Sequence, residues 1–171
     1  MNDMRKILLA SSSLALALSL VACGGNGGGD PWSTTRTAAS AALASPGSAD
    51  VSADGANVTL AGGNGTGANG CAGAQYGFAT SPCSVSASFP GAGRTIAFEW
   101  SYSTTDTSGP GADLFGMVVD GKLMPLSDPG GAMTQSGKVE IVAANSLQLY
   151  LNCTDCSDGA AQAKVSNLTT R

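Results

Sequence analysis

The residues Arg94 to Tyr102 constrain the fold more than any other stretch of this chain. Ile96, Phe98, Trp100 and Tyr102 recur at every second position, and Thr95, Ala97, Glu99 and Ser101 lie between them. A period of two belongs to a strand and puts the aromatic row on one face, so that row is expected at the centre of a core. The same alternation recurs at Asn57–Leu60, at Cys83–Phe89 and at Leu114–Asp120, where Phe115, Met117 and Val119 are in phase. It recurs again at Lys138–Ala143, through Leu147, Leu149 and Leu151, and through Ala163, Val165 and Asn167. Asp120-Gly121 reads as a tight hairpin turn into Lys122–Leu126. About eight short strands with turns between them and no long helix predict an all-β chain, an antiparallel two-sheet sandwich of jelly-roll-like form. A closed barrel is the alternative.

The N-terminus carries a different signal. Arg5 and Lys6 precede an apolar and small-residue run from Ile7 to Val21, and Leu20-Val21-Ala22-Cys23-Gly24 closes it. This is the pattern of a secretory signal, and Ser11-Ser12-Ser13 interrupts it short of the roughly 20 residues that span a membrane. It resembles the lipobox of bacterial lipoproteins. The resemblance implies cleavage before Cys23, lipidation of Cys23, and attachment to a membrane by two or more acyl chains. Gly24, in place of aspartate, implies the outer membrane. The expected domains are a signal peptide at 1–22, a lipidated cysteine with a flexible Gly-rich tether at 23–48, and a sandwich at 49–171. Within the tether, Gly24–Asp30 has no core-forming residues, Ala38–Ala44 reads as a short helical turn or as more of the tether, and Trp32 has two readings, docked on the domain or near the membrane.

Charge excludes one class of partner. Without residues 1–22, which hold Asp3, Arg5 and Lys6, there are 6 basic and 11 acidic residues, a net charge of −5. That argues against nucleic acid and against electrostatic binding to anionic lipid. Histidine is absent, which removes the usual general base and the commonest zinc ligand.

Beyond Cys23, the cysteines are Cys71, Cys83, Cys153 and Cys156. An even set in an exported chain reads as disulfides, and four allow three pairings. The local ones, Cys71–Cys83 and Cys153–Cys156, are expected, on the argument that pairing between the couples would require two distant loops to meet. A redox or zinc role for Cys153-Thr154-Asp155-Cys156 would need a helix N-terminus or a second half-site. The run Gly65-Thr66-Gly67-Ala68-Asn69-Gly70 fits a dinucleotide pattern, but no helical face follows it, so a surface loop is expected.

Phe98 to Asp106, then Asp113-Leu114-Phe115-Gly116, Gly121, Leu126-Ser127-Asp128, Gly130-Gly131-Ala132, Gln135-Ser136-Gly137, Thr154-Asp155, Gly159 and Val165 to Leu168 form an ordered series. The series is similar to a β-sandwich domain of exported bacterial proteins with PEP-CTERM sorting tails, over about Val58 to Leu168. The resemblance implies the fold and an extracellular setting. Asp106, Asp113 and Asp155 occupy its recurring aspartate positions. If their loops meet, they could hold Ca²⁺; the alternative is that each closes a turn through its own backbone. The expected function is a non-catalytic, surface-displayed lipoprotein for binding, adhesion or envelope structure. A calcium-dependent carbohydrate-binding module is the alternative, and a carboxylate-only enzyme is a third class.

Overall fold

The computed structural model of the chain describes residues 32–65, 71, 83–90, 93–154 and 156–171. It is a sandwich of two antiparallel five-stranded sheets. The strands are β1 (Ser33–Arg36), β2 (Ser48–Val51), β3 (Val58–Ala61), β4 (Ser84–Pro90), β5 (Arg94–Thr104), β6 (Asp113–Val119), β7 (Lys122–Pro125), β8 (Thr134–Ala143), β9 (Ser146–Cys153) and β10 (Ala161–Thr170). Sheet one has the order β1-β4-β9-β6-β7, and sheet two the order β2-β3-β10-β5-β8. A single helical turn, α1 (Ala38–Ala41), follows β1.

The period-two residues face inward as expected. Phe115, Met117 and Val119 of β6 stand opposite Leu151, Leu149 and Leu147 of β9, and β4 adds Val85, Ala87 and Phe89. From sheet two come Val58 and Leu60, Ile96, Phe98 and Tyr102, and Ala161, Ala163 and Val165. Each Val, Leu, Ile, Phe or Met side chain among them contributes about 1.5–3 kcal/mol when it is fully buried. Asp120 (φ 51°) and Gly121 (φ 81°) form the turn between β6 and β7. Two successive positive φ values match the twist of the flanking strands.

Three expectations are corrected. First, residues 32–48 are part of the sandwich rather than a tether. β1 pairs with β4, β2 pairs with β3, and the Trp32 ring packs at a tilt against Phe89 with ring centroids 5.2 Å apart. The Trp32 indole N–H donates to the Gly55 carbonyl at 3.2 Å, so this side chain docks on the domain. Backbone pairing at a sheet edge needs no apolar alternation, and Ser33–Arg36 has none: all four residues are exposed. Second, Trp100 is only half-buried, while Ile96, Phe98 and Tyr102 are buried. Its cross-strand neighbour on β8 is Gly137, which lies on the edge strand and brings no side chain to cover the indole. Third, Asn167 does not continue the inward phase of Ala163 and Val165. A bulge between Ser166 and Thr169, with Asn167 at φ 55°, turns Leu168 inward and Asn167 outward. Cys23 and the Gly24–Asp30 tract lie outside the described residues.

Candidate functional site: a sulfur and aspartate pole and a polar sheet face

The cysteines pair as the spacing suggested, Cys71 with Cys83 and Cys153 with Cys156. Contrary to expectation, however, the two couples meet. Register between β4 and β9 puts Ser84 opposite Asn152, so Cys83 and Cys153 occupy the next rung, and the Cys153 N–H donates to the Cys83 carbonyl at 3.3 Å. The sulfurs of Cys71, Cys83 and Cys156 lie within 4.8 Å of one another. With Leu43 the four cysteines make one buried cluster. Among the described residues this is the one group of three or more Cys, Asp or Glu side chains close enough to share an ion. The Cys153–Cys156 bridge ends a strand and leads into a non-helical loop, so it lacks the helix N-terminus that lowers a thiol's pKa.

The aspartates stand beside this cluster. Asp113 opens β6 opposite Cys153 and is buried. Its Oδ2 accepts a hydrogen bond from the Thr104 hydroxyl at 2.7 Å, and that same hydroxyl oxygen accepts the Asp106 N–H at 3.0 Å. Asp106, also buried, accepts the Ser108 N–H at 2.6 Å. The Tyr102 hydroxyl donates to the Asp113 carbonyl at 2.6 Å. Burial raises the pKa of that phenol, and the nearby Asp113 charge raises it further. Thr105 and Thr107 donate backbone hydrogen bonds to Ala160 and Asp158, so the β5–β6 and β9–β10 loops do meet at one end. Asp106 and Asp113 thus come together through Thr104. Asp106 also closes a turn, as the backbone alternative required. Asp155 lies outside the described residues, as does most of the glycine run; Gly65 donates its N–H to the Cys156 carbonyl.

The alternate residues of β5, β8 and β10 form a second region. Ser101 and Ser103, Thr134 and Ser136, and Gln162 and Lys164 line an open groove of about 430 Å³ on the outer face of sheet two. A neighbouring groove of about 440 Å³ includes Glu99, Lys138 and Asn167. Lys138 pairs with Glu99, and the Asn167 amide donates to Glu99 at 3.1 Å. The Lys138 contact, followed by the Asn167 bond, holds the Glu99 carboxyl below its ordinary pKa, and the same pair raises that of Lys138. The sequence contained this face as the polar complement of the apolar alternation, but only the strand order brings the three polar rows side by side. No known family model matches this chain, and no curated protein matches its sequence.

Proposed function

We propose that this chain is a non-catalytic β-sandwich lipoprotein of the bacterial cell envelope, tied to the outer membrane through lipidated Cys23, and a module for binding, adhesion or envelope structure. The observation that carries this reading is the pair of disulfides. Such bonds persist in oxidising compartments, which agrees with the export signal at 1–22. We read the sandwich as jelly-roll-like, and the strand order supports this reading: β3-β10-β5-β8 lies in one sheet and β4-β9-β6-β7 in the other, with β1 and β2 as one added edge strand each. Jelly rolls recur in lectin domains, among others. The hydroxyl and amide groups of the outer face of sheet two suit a polar ligand. Metabolic labelling with a palmitate analogue tests the anchor: wild type is labelled and Cys23→Ser is not. A labelled Cys23→Ser variant refutes it.

Calcium-dependent carbohydrate binding is the second reading. It is favoured by two buried aspartates at the loop pole, Asp106 and Asp113, linked through the Thr104 hydroxyl, which donates to the Asp113 carboxylate and accepts the Asp106 backbone N–H. Oxygen ligands of that kind suit a hard cation. Calorimetric titration with Ca²⁺, followed by a glycan array with and without the ion, decides it. Saturable Ca²⁺ heat that Asp113→Asn abolishes supports this reading, and glycan binding indifferent to Ca²⁺ removes it.

A further inference from the structure

The edges of the two sheets are treated unequally. Three of them, β1, β2 and β7, are four residues long. Short edges are one way a sandwich avoids pairing with other chains. The fourth edge, β8, is ten residues long and pairs with β5 from Arg94↔Ala143 to Ser103↔Thr134 without a register shift. It contains no proline and no bulge. None of the described residues pairs with its other side. Val142 on its outer face is 66% exposed, and Val139 and Ile141 on its inner face are only partly covered.

We propose that β8 is the interface of a two-fold homodimer, in which β8 of one copy pairs antiparallel with β8 of a second. The charges select the register. Lys138 and Glu140 flank Val139, and their side chains are 81% and 62% exposed. An axis through Val139 puts Lys138 of each copy opposite Glu140 of the other. An axis through Lys138 or through Glu140 instead sets that charge against itself, which is destabilising for directly opposed residues. The favoured register also extends the existing ion pairs. Glu99 already pairs with Lys138, and Arg171 with Glu140. The outer face then carries an alternating row of Glu99 and Lys138 from one copy with Glu140 and Arg171 from the other.

The inner face agrees with the same axis. Phe98 stands beside Val139, and the axis brings the two Val139 side chains together, so that an apolar row runs from one Phe98 to the other. Trp100 stands beside Gly137, and Ile96 beside Ile141. Pairing Gly137 with Ile141 of the second copy places an isoleucine next to the position where glycine leaves the indole uncovered. On the outer face, exposed Val142 meets Ser136. An isologous contact of this kind closes after two copies. Main-chain hydrogen bonds supply the affinity, as in other strand additions, and the charge pairs fix register more than strength.

Sedimentation velocity over a range of protein concentrations tests this. The purified wild-type protein is expected to pass from monomer to dimer. Lys138→Glu and Glu140→Lys each replace two attractive contacts by two repulsive ones, and each is expected to weaken the dimer by about tenfold or more. The Lys138→Glu/Glu140→Lys double variant restores opposite charges and recovers dimerisation. Mixing the two single variants yields a mixed dimer tighter than either homodimer, because every contact across it again joins opposite charges. Melting curves check that each variant folds. A chain that stays monomeric at every concentration overturns the proposal. So does a dimer whose dissociation constant the charge variants leave unchanged, since it would use another surface.

Discussion

The cysteine pole and the β8 edge are opposite solutions to the end of a sheet. At the pole, two disulfides, the Thr104–Asp113 hydrogen bond and the crossing of the β5–β6 and β9–β10 loops fix the backbone in one arrangement. At the edge, β8 is held from one side, its side chains half-exposed. The pole is cross-linked on itself, whereas the edge is available to be covered. A substitution of a given size should therefore cost much more at the first than at the second.

Glycine to alanine makes the comparison with one methyl group. Gly159 has φ 145°, and a Cβ there would lie 2.4 Å from the Asp106 nitrogen and 2.5 Å from the Thr105 carbonyl carbon. These are backbone atoms of the Thr105–Asp106 peptide, which cannot swing aside as a side chain can, so Gly159→Ala is expected to cost about 3 kcal/mol or more, read as a large drop in denaturation midpoint. Removal of the Cys71–Cys83 bridge by a double change to Ser comes next. It closes a span of 12 residues, and the chain-entropy argument gives about 3 kcal/mol, against about 2 kcal/mol for the shorter Cys153–Cys156 bridge. Equal losses for the two bridges in denaturant titrations would show that loop entropy is not what they supply.

Gly137→Ala is the counterpart at the edge. Its Cβ would meet the Trp100 ring at 2.8 Å, but that ring is a half-buried side chain and can swing outward, so the expected cost is about 1 kcal/mol. A loss as large as that of Gly159→Ala would mean that the edge is as rigid as the pole. The smallest effect concerns Asp120, which accepts backbone N–H groups from Ser146, Ala144 and Asn145 at 3.0, 2.9 and 2.7 Å and thereby ties the β6–β7 turn to the β8–β9 turn. Those bonds hold its carboxyl below the ordinary value of 3.8. Its contribution is therefore present above that pH and lost as the pH falls through the lowered folded value. Asp120→Asn should melt slightly below wild type at neutral pH, with the gap closing in acid. A gap that persists in acid would assign the effect to packing.

Eight of the ten strands were legible, seven from apolar residues that repeat at every second position and β7 from the Asp120-Gly121 turn that leads into it. β1 and β2 were not, since Ser33–Arg36 is exposed throughout and Ser48–Val51 only half-buried. Their place follows from partners far along the chain. The disulfide pairing was legible and its setting was not: that Cys83 and Cys153 share a rung follows from the β4–β9 register, which local spacing does not encode. Trp100 and Asn167 fail for the same kind of reason. A glycine on the neighbouring strand and a one-residue bulge alter burial without disturbing the alternation that announced the strand.

Amide hydrogen exchange at two protein concentrations tests the contrast between pole and edge most directly. The account expects β9 amides near Cys153 to be protected equally at both concentrations. The β8 amides of Lys138 and Glu140, which point away from β5, are expected to exchange quickly in dilute protein and to gain protection as concentration rises. Protection of β8 that does not change with concentration, or exchange at β9 as fast as that at β8, would contradict it.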